Sequence, residues 1–156
     1  MNVQNRKGER MATTDLQARA VRGDPELAYA LLRIIFGTNI LLHGVSRLIA
    51  GHAAFFAYIS KQMASAPLPS WILPPFTYAL PWLEALIGLL ILVGLFTRGA
   101  LIAGSVMMLA LQVGVCLAQN WQVAGDQLIY VAIYCVLIAF VERNRWSLDD
   151  FRASSR

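Results

Sequence analysis

Two histidines and two cysteines are all the imidazoles and thiols that this chain offers for haem, metal or disulfide chemistry. It contains no C-x-x-C and no C-x-x-C-H, so neither a dithiol redox centre nor a covalent haem site is written into it. His43 and His52 stand nine residues apart at the end of one predicted helix and so aim in opposite directions, which argues against a bis-histidine haem. Cys116 and Cys135 fall on different predicted helices and at different depths, so buried free thiols are expected and a disulfide is not. No haem or metal is expected. Charge is scarce as well, at 14% of residues.

What is present is apolar. Hydrophobic residues make up 58% of the chain and gather in four runs, Leu27 to Ala50, Phe76 to Phe96, Ala100 to Trp121 and Val123 to Val141. About 20 apolar residues in a helix cross the ~30 Å hydrocarbon layer; three runs meet this with ease and the fourth is marginal. Lipid cannot satisfy backbone polar groups, and the runs lack the alternation of barrel strands, so the expected fold is an all-α integral membrane four-helix bundle in contact with the lipid bilayer. The domain division follows: a disordered basic tail over 1–24, the bundle over 25–142 and a C-terminal tail over 143–156. The first 24 residues have no apolar core of the kind a cleavable signal needs, and Met11 is an alternative start. Asp24-Pro25-Glu26 supplies a cap, a first-turn proline and a first-turn acid, which starts the first span near Pro25.

The basic residues set the expected orientation. Arg6, Lys7, Arg10, Arg19 and Arg22 lie before the first span, Arg98 lies in the second connection, and Arg143, Arg145, Arg152 and Arg156 follow the last span; only Arg47 and Lys61 lie on the other side. The positive-inside rule then predicts a bacterial inner-membrane protein with both termini cytosolic. The net charge of +4 reads as topology, and no nucleic-acid partner is expected. The long connection, Gly51 to Pro75, opens with Phe55, Phe56, Ile59 and Met63 at helical spacing, which predicts an amphipathic interfacial helix. Its second half, Ala66 to Pro75, carries four prolines and predicts irregular chain over the outer mouth, either a lid or an interfacial anchor.

Glu84 stands in the middle of the second run. An ionisable residue inside a span marks a functional site by default, because ionising it in hydrocarbon costs at least ~2.5 kcal/mol unless a partner is near. At ~1.5 Å per residue, His43 lies ~10 Å below the outer end of the first span and Glu84 ~12 Å below the same surface. Matching depth predicts that His43 and Glu84 meet. Arg33, Gly37, Ile40, Gly44 and Arg47 share a narrow face of the first helix with His43 on its edge, and the glycines permit close approach of another helix.

Leu32-Arg33 to Gly37, His43-Gly44-Val-Ser-Arg47-Leu48, Glu84-x-x-x-Gly88 and Gly94-Leu-Phe-Thr97-Arg98 occur in the order seen in a known group, and the segment 27–117 resembles the DoxX family of small four-helix membrane proteins. Members are similar to a subunit of thiosulfate:quinone oxidoreductase, so the resemblance implies a quinone- or quinol-interacting subunit of a membrane oxidoreductase. A quinone needs hydrogen-bond donors at two oxygens and takes up protons on reduction, which gives Glu84 and His43 the catalytic roles and Arg47, Asn39, Arg33 and Trp82 the binding roles. Phe55, Phe56, Tyr58, Trp71 and Trp82 are available to line a slot for the ring. Electrons would come from a redox partner protein or subunit, and a homo-oligomer is compatible with the sequence. The alternative is a non-catalytic membrane adaptor that docks or stabilises other proteins. A small-solute or proton carrier finds little support in a single bundle without an internal repeat.

Overall fold

The computed structural model describes the backbone of residues 3–155 and the side chains of residues 25–155. The basic tail expected to be disordered over residues 1–24, and the helix start expected near Pro25, differ from this: the backbone is helical from Val3 and runs through Pro25, while the side chains before residue 25 lie outside that description. Six α-helices follow in chain order: α1 (Val3–Ala50), α2 (His52–Gln62), α3 (Leu73–Val93), α4 (Thr97–Leu117), α5 (Trp121–Ala139) and α6 (Leu148–Ser154), with a 3₁₀ turn at Val141–Arg143 before the last. Residues Pro25–Ala50 of α1, together with α3, α4 and α5, are long and apolar enough to cross a bilayer. The fold is the expected all-α membrane bundle. The α2 end of the bundle is closed by α2 and the connection after it, and the α6 end by the α3–α4 turn and α6.

Two further boundaries differ from the sequence reading. The second span begins at Leu73, with Pro74 and Pro75 inside its first turn. First-turn N–H groups have no intrahelical partner, so prolines cost nothing there, and the irregular connection is shorter than the proline count implied. The third span begins at Thr97 because Asp149 caps it from α6, accepting hydrogen bonds from the N–H groups of Phe96 and Thr97 at 2.8 Å each. A cap supplied from 52 residues away leaves no local signal.

The α1–α3 contact positions everything that follows. A Cβ at Gly88 would collide with the α1 backbone at Leu41, and one at Gly44 would collide with the α3 backbone at Pro81 and Ala85. Only hydrogen fits at either point, so the two helices touch backbone to backbone and their antiparallel register is fixed. Phe36, Ile40, Leu80, Ile87, Ile91, Leu101, Met108, Tyr134 and Leu137 fill the core between α1, α3, α4 and α5. Helix α5 is the least covered of the four spans.

Candidate functional site

Arg47 and Glu84 form an ion pair across the α1–α3 seam, Nη1 donating to Oε2. Gly44 is three residues before Arg47 and Gly88 four residues after Glu84, so the glycine contacts that lock the register also bring these two side chains to one level. Glu84 is 5% exposed, the most buried carboxylate among the described residues. The Arg47 side chain is 26% exposed, and its guanidinium lies 4.9 Å from the centroid of the buried Phe55 ring of α2. An aromatic face and a carboxylate together offset the cost of taking a cation out of water.

Arg47 also reaches a cavity. A space of ≈ 530 Å³ lies at the α2 end, walled by Ile59 of α2, Met63, Leu68 and Ile72 of the connection, Phe76 of α3, Leu109 and Val113 of α4 and Val123 of α5. Its polar contributors are Arg47, Tyr58, Gln62, Asn120 and Gln127. The Gln127 Oε1 atom is buried without a hydrogen-bond partner. A large apolar chamber with a few convergent polar groups is the usual form of a small-molecule site. A smaller space of ≈ 250 Å³ borders Arg47 on its other side, between Ser46, Ala54 and Phe55. Among the described residues, no three His, Cys, Asp or Glu side chains gather as a metal ligand set.

The remaining sequence candidates are not gathered at this cavity. His43 is exposed and its Nε2 lies 3.4 Å from the Tyr130 hydroxyl of α5; it does not bond Glu84. The reason is azimuth. At about 100° per residue His43 lies about 100° around from Gly44, the direction that faces α3, while Arg47, on the same side, lies only about 60° from it. Depth alone therefore chose the wrong partner. Asn39 and Trp82 are exposed on outer helix faces. Of the aromatic residues expected to line a ring slot, Tyr58 borders the large cavity, and Trp71 and Trp82 project outward. His52 contacts Thr77 and Tyr78 of α3, so the two histidines serve separate places. Both cysteines are free, and Cys135 is exposed on α5 where a buried thiol was expected.

Arg33 belongs to the opposite end. It is 1% exposed and donates to the carbonyls of Ile91 at 2.9 Å, Leu92 at 2.6 Å and Trp146 at 3.0 Å. The first two are terminal carbonyls of α3, which ends at Gly94 in a left-handed conformation with φ 68°. A buried cation on C-terminal carbonyls neutralises the negative end of the helix dipole. The fourteen residues between Arg33 and Arg47 separate them by about 21 Å along α1. Arg33 is thus a clasp between α1, α3 and the chain before α6. Thr97 shares in this clasp, its hydroxyl donating to Asp149 and accepting from Asn144. Sequence reasoning missed the Thr97 and Asp149 roles, although the Gly94-Leu-Phe-Thr97 turn was visible.

A four-span integral membrane protein with a buried ion pair beside an apolar chamber is the class that this fold and site define. The family model described as methylamine utilisation protein MauE matches residues 25–127, about two thirds of the chain, and the chain belongs to that family. This overturns the DoxX resemblance. The motifs behind it have structural explanations that do not single out a family: Gly44 and Gly88 allow helix contact, Arg33 ties down a helix end, and the Gly94 to Thr97 turn links two spans. Such devices suit any small bundle of this layout. No curated protein and no solved structure matches the chain.

Proposed function

We propose that this protein is a quinone- or quinol-interacting membrane subunit that serves a redox partner in a methylamine utilisation system. The observation that carries the proposal is the Arg47–Glu84 pair beside the apolar cavity at the α2 end. The family description supplies the methylamine context and the expectation of a partner protein. In this reading Arg47 donates an N–H to a ring oxygen, and the apolar walls accept the ring and its isoprenoid chain. Reduction of the ring takes two electrons from the partner and two protons at the oxygens. Glu84 holds the guanidinium in place and is the buried carboxylate nearest to that chemistry. His43, Asn39, Trp82 and Arg33, which lie elsewhere, are left out of the binding set.

We place the protein in a bacterial inner membrane with both termini cytosolic, as the basic residues direct. A cysteine at Ser65 labelled from outside intact cells, with one at Ser154 protected, is the expected pattern; the reverse overturns the orientation. The function is tested with a ubiquinone analogue and the protein purified in mild detergent. At about 100 times its dissociation constant a ligand adds ~2.7 kcal/mol of stability, read as a rise in thermal midpoint. Arg47→Ala should abolish the rise, and Trp82→Ala, on the outer surface, should leave it intact. No rise in any form, or an equal rise in the Arg47 variant, refutes the quinone reading and leaves a non-catalytic adaptor as the better account.

A further inference from the structure

Ile35, Asn39, Leu42, Ser46 and Ile49 form a stripe on the face of α1 that the rest of the bundle leaves open. Their spacing is four, three, four and three residues, the 3.5-residue repeat of a coiled-coil seam. Ile35 is 67% exposed, Leu42 58% and Ile49 81%. At about 100° per residue the stripe is centred about 180° around from Gly44, on the side of α1 away from α3. From Ile35 to Ile49 it runs about 21 Å, most of a ~30 Å hydrocarbon layer.

Asn39 is the informative member. Its carboxamide makes no hydrogen bond among the described residues, and it sits about 16 Å below the α1 terminus, where lipid offers neither donor nor acceptor. Exposed polar amides at such depth bond across helices.

We propose that this seam pairs α1 with α1 of a second copy of the chain, as a parallel dimer about a two-fold axis along the membrane normal. Two copies with the same topology in one membrane meet this way, and the axis sets each residue opposite its own counterpart at equal depth. A carboxamide carries both a donor and an acceptor, so Asn39 satisfies Asn39 of the second copy. One Asn within such a seam fixes register and oligomeric state. Ile35, Leu42 and Ile49 supply the packing above and below, at the crossing of about 20° usual for left-handed pairs. The face includes Ser46 at the smaller space beside Arg47 but contributes nothing to the large cavity, so dimerisation and ligand binding there are separable.

Disulfide crosslinking and fluorescence energy transfer between copies in lipid vesicles test the proposal, with Cys116 and Cys135 replaced by alanine. Single cysteines at Ile35 or Leu42 should crosslink two copies, and one at Ile102, on the outward face of α4, should not. Asn39→Leu should weaken association about tenfold, and Asn39→Gln, which keeps the amide, should retain most of it. Both changes lie on an exposed face, so helicity by circular dichroism should stay constant. A monomer at every protein-to-lipid ratio overturns the proposal, as does equal crosslinking at Ile102, crosslinking only to another protein, or an Asn39→Leu variant that associates like the parent.

Discussion

Helix α1 carries two arginines into the membrane-spanning region, and the bundle treats them in opposite ways. Arg33 gives the hydrogen bonds of its two terminal nitrogens to three backbone carbonyls, while its Nε is buried without a partner among the described residues. Arg47 has one carboxylate partner and an aromatic face, and it borders open space on two sides. A cation consumed by backbone acceptors holds a fold together. One balanced by a single carboxylate beside a cavity remains available to a ligand. The difference lies in what surrounds each side chain, since residue type and helix are the same.

Removing the clasp should have the largest effect. Arg33→Met keeps much of the side-chain volume but leaves the Leu92 and Trp146 carbonyls without a donor and the Ile91 carbonyl with the Gly94 N–H alone. At ~1–3 kcal/mol for each buried unsatisfied group, the loss should reach about 3 kcal/mol even after relief of the buried charge. Thermal unfolding in detergent reads this directly. A variant as stable as the parent would show that the clasp is incidental.

The pair at the other end should give a smaller, coupled effect. Arg47→Ala and Glu84→Ala should each destabilise, and the double variant should cost less than their sum by about 1 kcal/mol, because the second change removes a group already left unpaired. The matching cycle of Glu84 with His43 should be additive within about 0.5 kcal/mol, as expected for side chains that do not meet. Coupling between Glu84 and His43 with none between Glu84 and Arg47 would reverse the assignment.

The spans, the helix that opens the long connection and the placing of Glu84 inside a span were legible in the sequence, because hydropathy, helical spacing and a lone carboxylate in an apolar run are local signals. The partner of Glu84 was half legible. Depth admitted both His43 and Arg47, and the glycines on α1 marked the face that decides between them. Arg33 looked like a site residue because a buried arginine on that same face has no other local explanation. Its acceptors are carbonyls up to 113 residues away, and a carbonyl leaves no mark in a sequence. The cavity was illegible for a related reason, since its walls come from every element at the α2 end.

The smallest effect concerns α6, and its sign can be worked out in advance. Burial pushes the Asp149 carboxyl up, but hydrogen bonds from Thr97 and Phe96, with the nearby Arg152 charge, outweigh this and hold it below its ordinary value of 3.8. A carboxylate with a lowered pKa binds protons less readily in the folded state than in the unfolded one. Its contribution is therefore complete above about pH 4 and is lost as pH falls through the lowered folded value. Asp149→Ala should cost about 1 kcal/mol at neutral pH, the usual worth of a helix cap. Hydrogen exchange over α6 and the first turn of α4 should report that loss, and the variant should lack the acid-dependent step of the parent. The Arg145–Asp150 pair is unchanged in both proteins, so the difference between their pH profiles isolates the cap. If α6 stays equally protected in the variant, Arg33, with the backbone bond from residue 149 to the Gly94 carbonyl, secures that end of the bundle without the cap, and the contrast between the two arginines becomes sharper.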